Sequence, residues 1–72
     1  MTPREFVRIS DFNTYELSIN IVAFEVRAHN LTVADIISSE EDIFDREIQA
    51  IDFITSGDNS AESYLDITLY VG

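Results

Sequence analysis

Apolar and polar residues alternate through residues 15–28: Tyr15, Leu17, Ile19 and Ile21 point to one side of an extended chain, and Glu16, Ser18 and Asn20 to the other. This pattern predicts a half-buried strand. At Ile21-Val22 the phase slips by one residue, after which Val22, Phe24, Val26 and Ala28 become the apolar set, with Glu25 and Arg27 opposite. A β-bulge produces such a slip. As a helix the same stretch would be apolar on every side, which suits an acidic chain of this size poorly. Residues 5–10 read as another strand, and Asp11-Phe12-Asn13-Thr14 as the turn that joins the two into a hairpin.

From Leu31 the period lengthens to that of a helix, because Val33, Ile36, Ile37, Ile43, Phe44, Ile48, Ile51 and Ile54 share one broad face. Thr32 stands three residues ahead of Asp35, and Ser38 three ahead of Glu41, both in capping-box spacing. These signals predict a short helix over 32–37 followed by a longer one over 39–56, or one fused helix, closed by Gly57. A polar loop over 57–63 leads to a last strand, in which Leu65, Ile67, Leu69 and Val71 alternate with Tyr64, Asp66, Thr68 and Tyr70. The expected fold is a single small α+β domain over 1–72: two layers, an antiparallel sheet of about three strands in the order β-β-α-β, covered by one long or two short helices. A strand over 47–54 lying beside 64–71 ranks second, since its acids and apolar residues mix on both faces.

Size and composition narrow the functional classes. A chain of 72 residues with no cysteine has neither a disulfide staple nor a Cys/His zinc site, and its 46% hydrophobic content is too high for disorder. The expected compartment is the reducing cytoplasm, because no stretch reads as a signal peptide or a membrane span. Lysine is absent, so neither nucleic acid nor anionic membrane is an expected direct ligand.

Charge then gives the chain a direction. Residues 1–30 carry four acids against three arginines, whereas residues 31–72 carry ten acids against Arg46 alone. Such a field favours a basic partner. On the expected helix, Asp35, Glu41, Asp42, Asp45 and Asp52 form a row on the outward face, with a spacing of about 10.5 Å for seven residues, and Asp58, Glu62 and Asp66 continue it. A solvated helix face accounts for Glu40, Glu41 and Asp42, which a helix N-terminus favours, but it does less for Asp45, Asp52, Asp58, Glu62 and Asp66. A salt-adapted cytoplasm would also explain acid excess, though it gives no reason to confine the excess to one end. Glu40 and Glu47 fall inside the apolar arc, where each must reach the helix edge, meet an arginine such as Arg8 or Arg27, or lie at an interface.

Tyr64, Tyr70 and Phe53 are aromatics on otherwise polar faces, either anchors for a partner or cover for the second face of the sheet. A homodimer would also cover that face. Catalysis has little to build on, since His29 is the single histidine and reads as part of a turn with Asn30. Asp58-Asn59-Ser60-Ala61-Glu62 lacks the order of a calcium loop, so neither metal nor cofactor is expected, and Asn30-Leu31-Thr32 is a glycosylation sequon only in a secreted chain.

In composition the chain resembles the small acidic inhibitors that phages and mobile elements direct against nucleic-acid-handling machinery, among them anti-CRISPR proteins, anti-restriction proteins and uracil-glycosylase inhibitors. The resemblance is to a physical type and implies occlusion, with carboxylates filling an Arg/Lys groove that otherwise holds DNA or RNA, as a DNA mimic would. The alternative is an interaction or assembly module, of antitoxin or phage-structural kind, acting through the exposed aromatics and a homodimer face.

Overall fold

The computed structural model describes residues 1–10, 16–56 and 64–72. It opens with a helix, α1 (Pro3–Ile9), where a strand over 5–10 was expected. The reason lies in the residues before the apolar ones. Thr2 Oγ1 accepts from the Glu5 amide at 3.2 Å, Glu5 Oε1 accepts from the Thr2 amide at 3.0 Å, and Pro3 supplies a first helical residue that needs no amide partner. This cap outweighs strand propensity over so short a run. The expected turn at 11–14 and the polar loop with Gly57 lie outside the described residues.

Four strands follow in one mixed sheet: β1 (Glu16–Val22), β2 (Arg27–Leu31), β3 (Ile48–Ser56) and β4 (Tyr64–Val71), in the spatial order β2-β1-β4-β3. The α+β class and the two-layer arrangement stand, with four strands rather than about three. The sheet is not wholly antiparallel, because β1 and β4 run parallel at its centre. Their register aligns Leu17 with Leu65, Ile19 with Ile67 and Ile21 with Leu69 on one face, and Ser18 with Asp66, Asn20 with Thr68 and Val22 with Tyr70 on the other. The long helix over 39–56 does not form. Its second half is β3, antiparallel to β4, so the second-ranked strand over 47–54 is the one that the chain adopts.

The phase slip at Ile21-Val22 marks a reversal of direction rather than a bulge. Ala23 N donates to Val26 O at 2.8 Å, and Phe24 and Glu25 form the hairpin tip. A bulge does occur, but in β2: Ile19 faces Leu31 and Ile21 faces Ala28, so His29 and Asn30 together stand opposite Asn20. Asn30 takes a left-handed conformation, φ 56°, which asparagine tolerates better than most residues.

One face of the sheet is covered by α1, by α2 (Val33–Ser38) and by a 3₁₀ turn (Asp42–Asp45). The expected Thr32–Asp35 capping box starts α2, with both reciprocal bonds made. Val7, Ile36, Ile43 and Phe44 come down from this layer onto Ile19, Ile21, Ile67 and Leu69, forming the core. Burial of these residues is what holds such short helices in place, since neither is long enough to be stable alone.

Candidate functional site

Among the described residues from Leu31 onward, the acids divide between two places. Residues 35–47 carry Asp35, Glu40, Glu41, Asp42, Asp45 and Glu47, every one exposed, along α2, the 3₁₀ turn and the segments that flank it. Asp52 and Asp66 instead lie on the sheet face away from the helices, since Asp52 pairs in register with Thr68, and Asp66 with Ser18 and Ile54. The continuous helical row is therefore absent: a turn and a strand replace the helix, and the expected seven-residue spacing of carboxylates goes with it.

Arg4 organises the acidic segment. Its Nη1 donates to the backbone oxygens of Ile36 at 2.8 Å, Ile37 at 3.2 Å and Ser39 at 2.8 Å, and its Nη2 reaches Glu41 O at 3.4 Å. The same guanidinium meets both carboxylate oxygens of Asp45, at 2.8 and 3.1 Å, and lies 5.9 Å from the centre of the Phe44 ring. A planar fork of donors suits this task as an ammonium would not. The carbonyls left open at the C-terminus of α2 thus gain a cation, which also favours the negative end of the helix dipole. Hydrogen bonding to Arg4 holds the Asp45 carboxyl below its ordinary range, and the Arg4 pKa is raised in turn.

Other acids are also engaged. Arg46 pairs with Glu25 at the hairpin tip, which lowers the Glu25 pKa through that hydrogen bond, and it lies 3.9 Å from Asp42. Glu47 meets the N-terminal ammonium of Met1, and Asp35 is committed to the cap of α2. Among the described residues, the carboxylates of Glu40 and Glu41 meet no cation. Glu40 and Glu47 are exposed, as the edge alternative has it, though not on a helix, and among the described residues neither pairs with Arg8 or Arg27.

The sheet face away from the helices carries a polar network at its centre. Ser18 Oγ donates to Asn30 Oδ1 at 2.9 Å, Asn30 N donates to Asn20 Oδ1 at 3.2 Å, and Asn20 Nδ2 donates to Asp66 Oδ1. Asp66 is thus partnered, whereas Tyr70 on the same face is 40% exposed. Tyr64 begins β4, where its backbone stands in register with Glu16 and Ser56. Asp58 and Glu62 lie outside the described residues. The structure therefore gathers Asp35, Glu41, Asp42 and Asp45 along one segment, sets Asp52, Asp66 and Tyr70 on another surface, and does not join the two into one stripe.

Sequence reasoning missed Arg4, whose partners are 32 to 41 residues away, and Phe24, which is fully exposed at 103%. Nothing in the local sequence marks the first. His29 is exposed on β2, and among the described residues no three His, Asp or Glu side chains converge as a metal site. Among the described residues, no helix is long and apolar enough to cross a membrane. Comparison with protein-family models, with curated proteins and with solved structures finds no significant match to the chain.

Proposed function

We propose that this chain is a small acidic, non-enzymatic inhibitor of the kind that phages and mobile elements encode, acting in the cytoplasm by binding a basic nucleic-acid-handling protein and occluding its nucleic-acid site. One observation carries the reading: six exposed carboxylates within residues 35–47 face only Arg46 from their own segment, and Arg4 fixes the backbone that presents them. A fixed array of charge binds with less ordering cost than a flexible acidic tail. Glu40, Glu41 and Asp42, three consecutive acids at the entry to the 3₁₀ turn, are the residues assigned to the contact. They speed encounter with a cationic groove and reject anionic competitors. The inhibitor acts by covering the groove with an acidic knob rather than with a regular helical row of carboxylates.

The test is capture from a bacterial lysate, at low ionic strength and at about 1 M salt, where the screening length falls to about 3 Å. A basic nucleic-acid-binding protein should be retained at low salt and released at high salt, and should lose its nucleic acid when the chain is added. Reversal of Glu40 and Glu41 to lysine should weaken capture at least about tenfold, a change of about 1.4 kcal/mol in binding, while the far-UV circular dichroism is unchanged. Asp45→Lys is not a clean substitute, because Asp45 holds Arg4. Retention of the same protein by the doubly reversed chain would sink the proposal.

A further inference from the structure

Among the described residues, the β3 edge is open. This strand of nine residues lies at the margin of the sheet and, among the described residues, pairs only with β4. It contains no proline, lysine or arginine and a single charge, Asp52, so it lacks the devices that usually keep an edge from pairing. The other margin, β2, is shorter and interrupted by its bulge at His29 and Asn30. The helical layer also stops short of β3. Ile51 and Phe53 lie on the same face as the fully buried Leu69 and Ile67, yet Phe53 is 53% exposed, and on the opposite face Ile54 is 58% exposed.

We infer that a second copy of this chain pairs with β3 antiparallel about a two-fold axis, producing a continuous eight-stranded sheet. Charge selects this occupant over a cationic strand: of fourteen acids in the chain only Asp52 lies on β3, so an incoming row of lysines or arginines would find little to meet there. Antiparallel pairing also keeps the acidic segments apart. Each Ile48 lies five residues from an axis through Phe53, which places the two Ile48 residues about 34 Å apart at about 3.4 Å per residue, several screening lengths.

The register follows from three further facts. A two-fold axis perpendicular to the sheet sets each face of β3 against the same face of its copy, so the axis passes through a residue. An axis at Asp52 would set two carboxylates directly opposite each other. An axis at Ile51 would require Ile48 to pair outward, but the Ile48 amide already donates to Met1 O at 2.8 Å, and the strand is irregular between Ile48 and Ala50. An axis at Phe53 avoids both. It sets the Phe53 rings of the two copies against each other and Asp52 opposite Ile54 of the copy, and it uses only the regular stretch from Ala50 to Ser56. This dimer does not depend on a basic target.

Sedimentation equilibrium of the full chain tests the inference. The mass should approach twice 8.2 kDa as concentration rises into the micromolar range, and should not fall at high salt. Phe53→Glu should weaken association at least about tenfold with unchanged circular dichroism, because the substitution falls at the axis and counts in both copies. Ile54→Lys should hold or tighten the dimer, since it places an ammonium opposite Asp52 of the copy. Tyr70→Ala, off the edge, should leave it unchanged. A chain that remains at 8.2 kDa up to millimolar concentration would overturn the inference, even if it captures another protein by the same edge. So would a dimer lost in Tyr70→Ala but retained in Phe53→Glu, and loss of the dimer in Ile54→Lys would remove the axis at Phe53.

Discussion

Ile36 and Ile37 are neighbours on α2 with the same side chain and opposite environments, at 0% and 41% exposure. Ile36 is the one buried residue of that helix, so it is what anchors α2 to the sheet. Replacing it with alanine removes three carbons, about 2.4 kcal/mol at about 0.8 kcal/mol each. A residual cavity adds to this, within the usual span of about 2–5 kcal/mol for such a deletion. Ile37→Ala deletes the same atoms from a side chain already two-fifths in water and gains a few tenths of a kcal/mol in helix propensity, so about 1 kcal/mol or less is expected. A chain of 72 residues at about 0.05–0.15 kcal/mol each is stable by about 4–11 kcal/mol, so Ile36→Ala removes a large part of the total. Urea unfolding followed by far-UV circular dichroism measures both, and Ile36→Val should fall between, at about 0.5–1.5 kcal/mol. Equal losses in the two alanine variants would refute the assignment of Ile36 as the anchor. An unchanged midpoint with loss of amide protection confined to residues 33–38 would refute it too, by showing that α2 opens apart from the rest.

Two further outcomes follow from the polar contacts. Asp45, Glu5 and Glu25 have pKa values held below their ordinary ones, 3.8 for the aspartate and 4.5 for the glutamates, so their stabilisation is complete above those values and is lost as pH falls through the lower folded-state values. Asp45→Asn should therefore be less stable than the parent at neutral pH and should show a shallower decline in urea midpoint below about pH 4; parallel declines would contradict the Arg4 contact. At Asn30, alanine should cost about 1–3 kcal/mol, from the left-handed backbone and the lost Ser18 partner, and glycine about 1 kcal/mol from the lost hydrogen bond alone. Thermal melts in which the glycine variant is the less stable would show that backbone conformation at this position matters little.

The parts of the fold legible in the sequence are those where one face is buried and the other wet. Leu17, Ile19 and Ile21 in β1, and Leu65, Ile67, Leu69 and Val71 in β4, alternate because the helices cover only one side. Thr32 and Asp35 marked α2 because a capping box is a local device. The misreadings have physical causes. Beyond Ile48 the β3 strand sits at an edge that the helical layer does not cover, so Ile51, Phe53 and Ile54 remain exposed on both faces, and the alternation that marks a strand is lost; Ile48, Ile51 and Ile54, with Ile43 and Phe44, mimic a helical period. The tip at Phe24-Glu25 contains no glycine, asparagine or proline, so the phase slip alone recorded the turn, and a bulge would have left the same trace. In α1 the Thr2, Pro3 and Glu5 signals were present and should have outweighed the short apolar run. Among the acids, exposure was legible but partnership was not: Asp45 looks as free as Glu41 in the sequence, and only the fold brings Arg4 to it.

The Glu47–Ile48 peptide unit receives both ends of the chain. Gly72 N donates to Glu47 O at 3.1 Å, and Ile48 N donates to Met1 O at 2.8 Å, on the two opposite sides that a trans peptide presents. In topological terms the backbone is nearly a ring clasped at residues 47 and 48, and closing the break between residues 72 and 1 keeps both backbone bonds while giving up the pair of the Met1 ammonium with Glu47. A circular permutant that joins those ends by a short linker and opens at the exposed Phe24-Glu25 tip keeps every element in the same sheet and the same helical layer. The contacts of Arg4 with residues 36 to 45 are kept, and β1 and β2 become the elements beside the new termini.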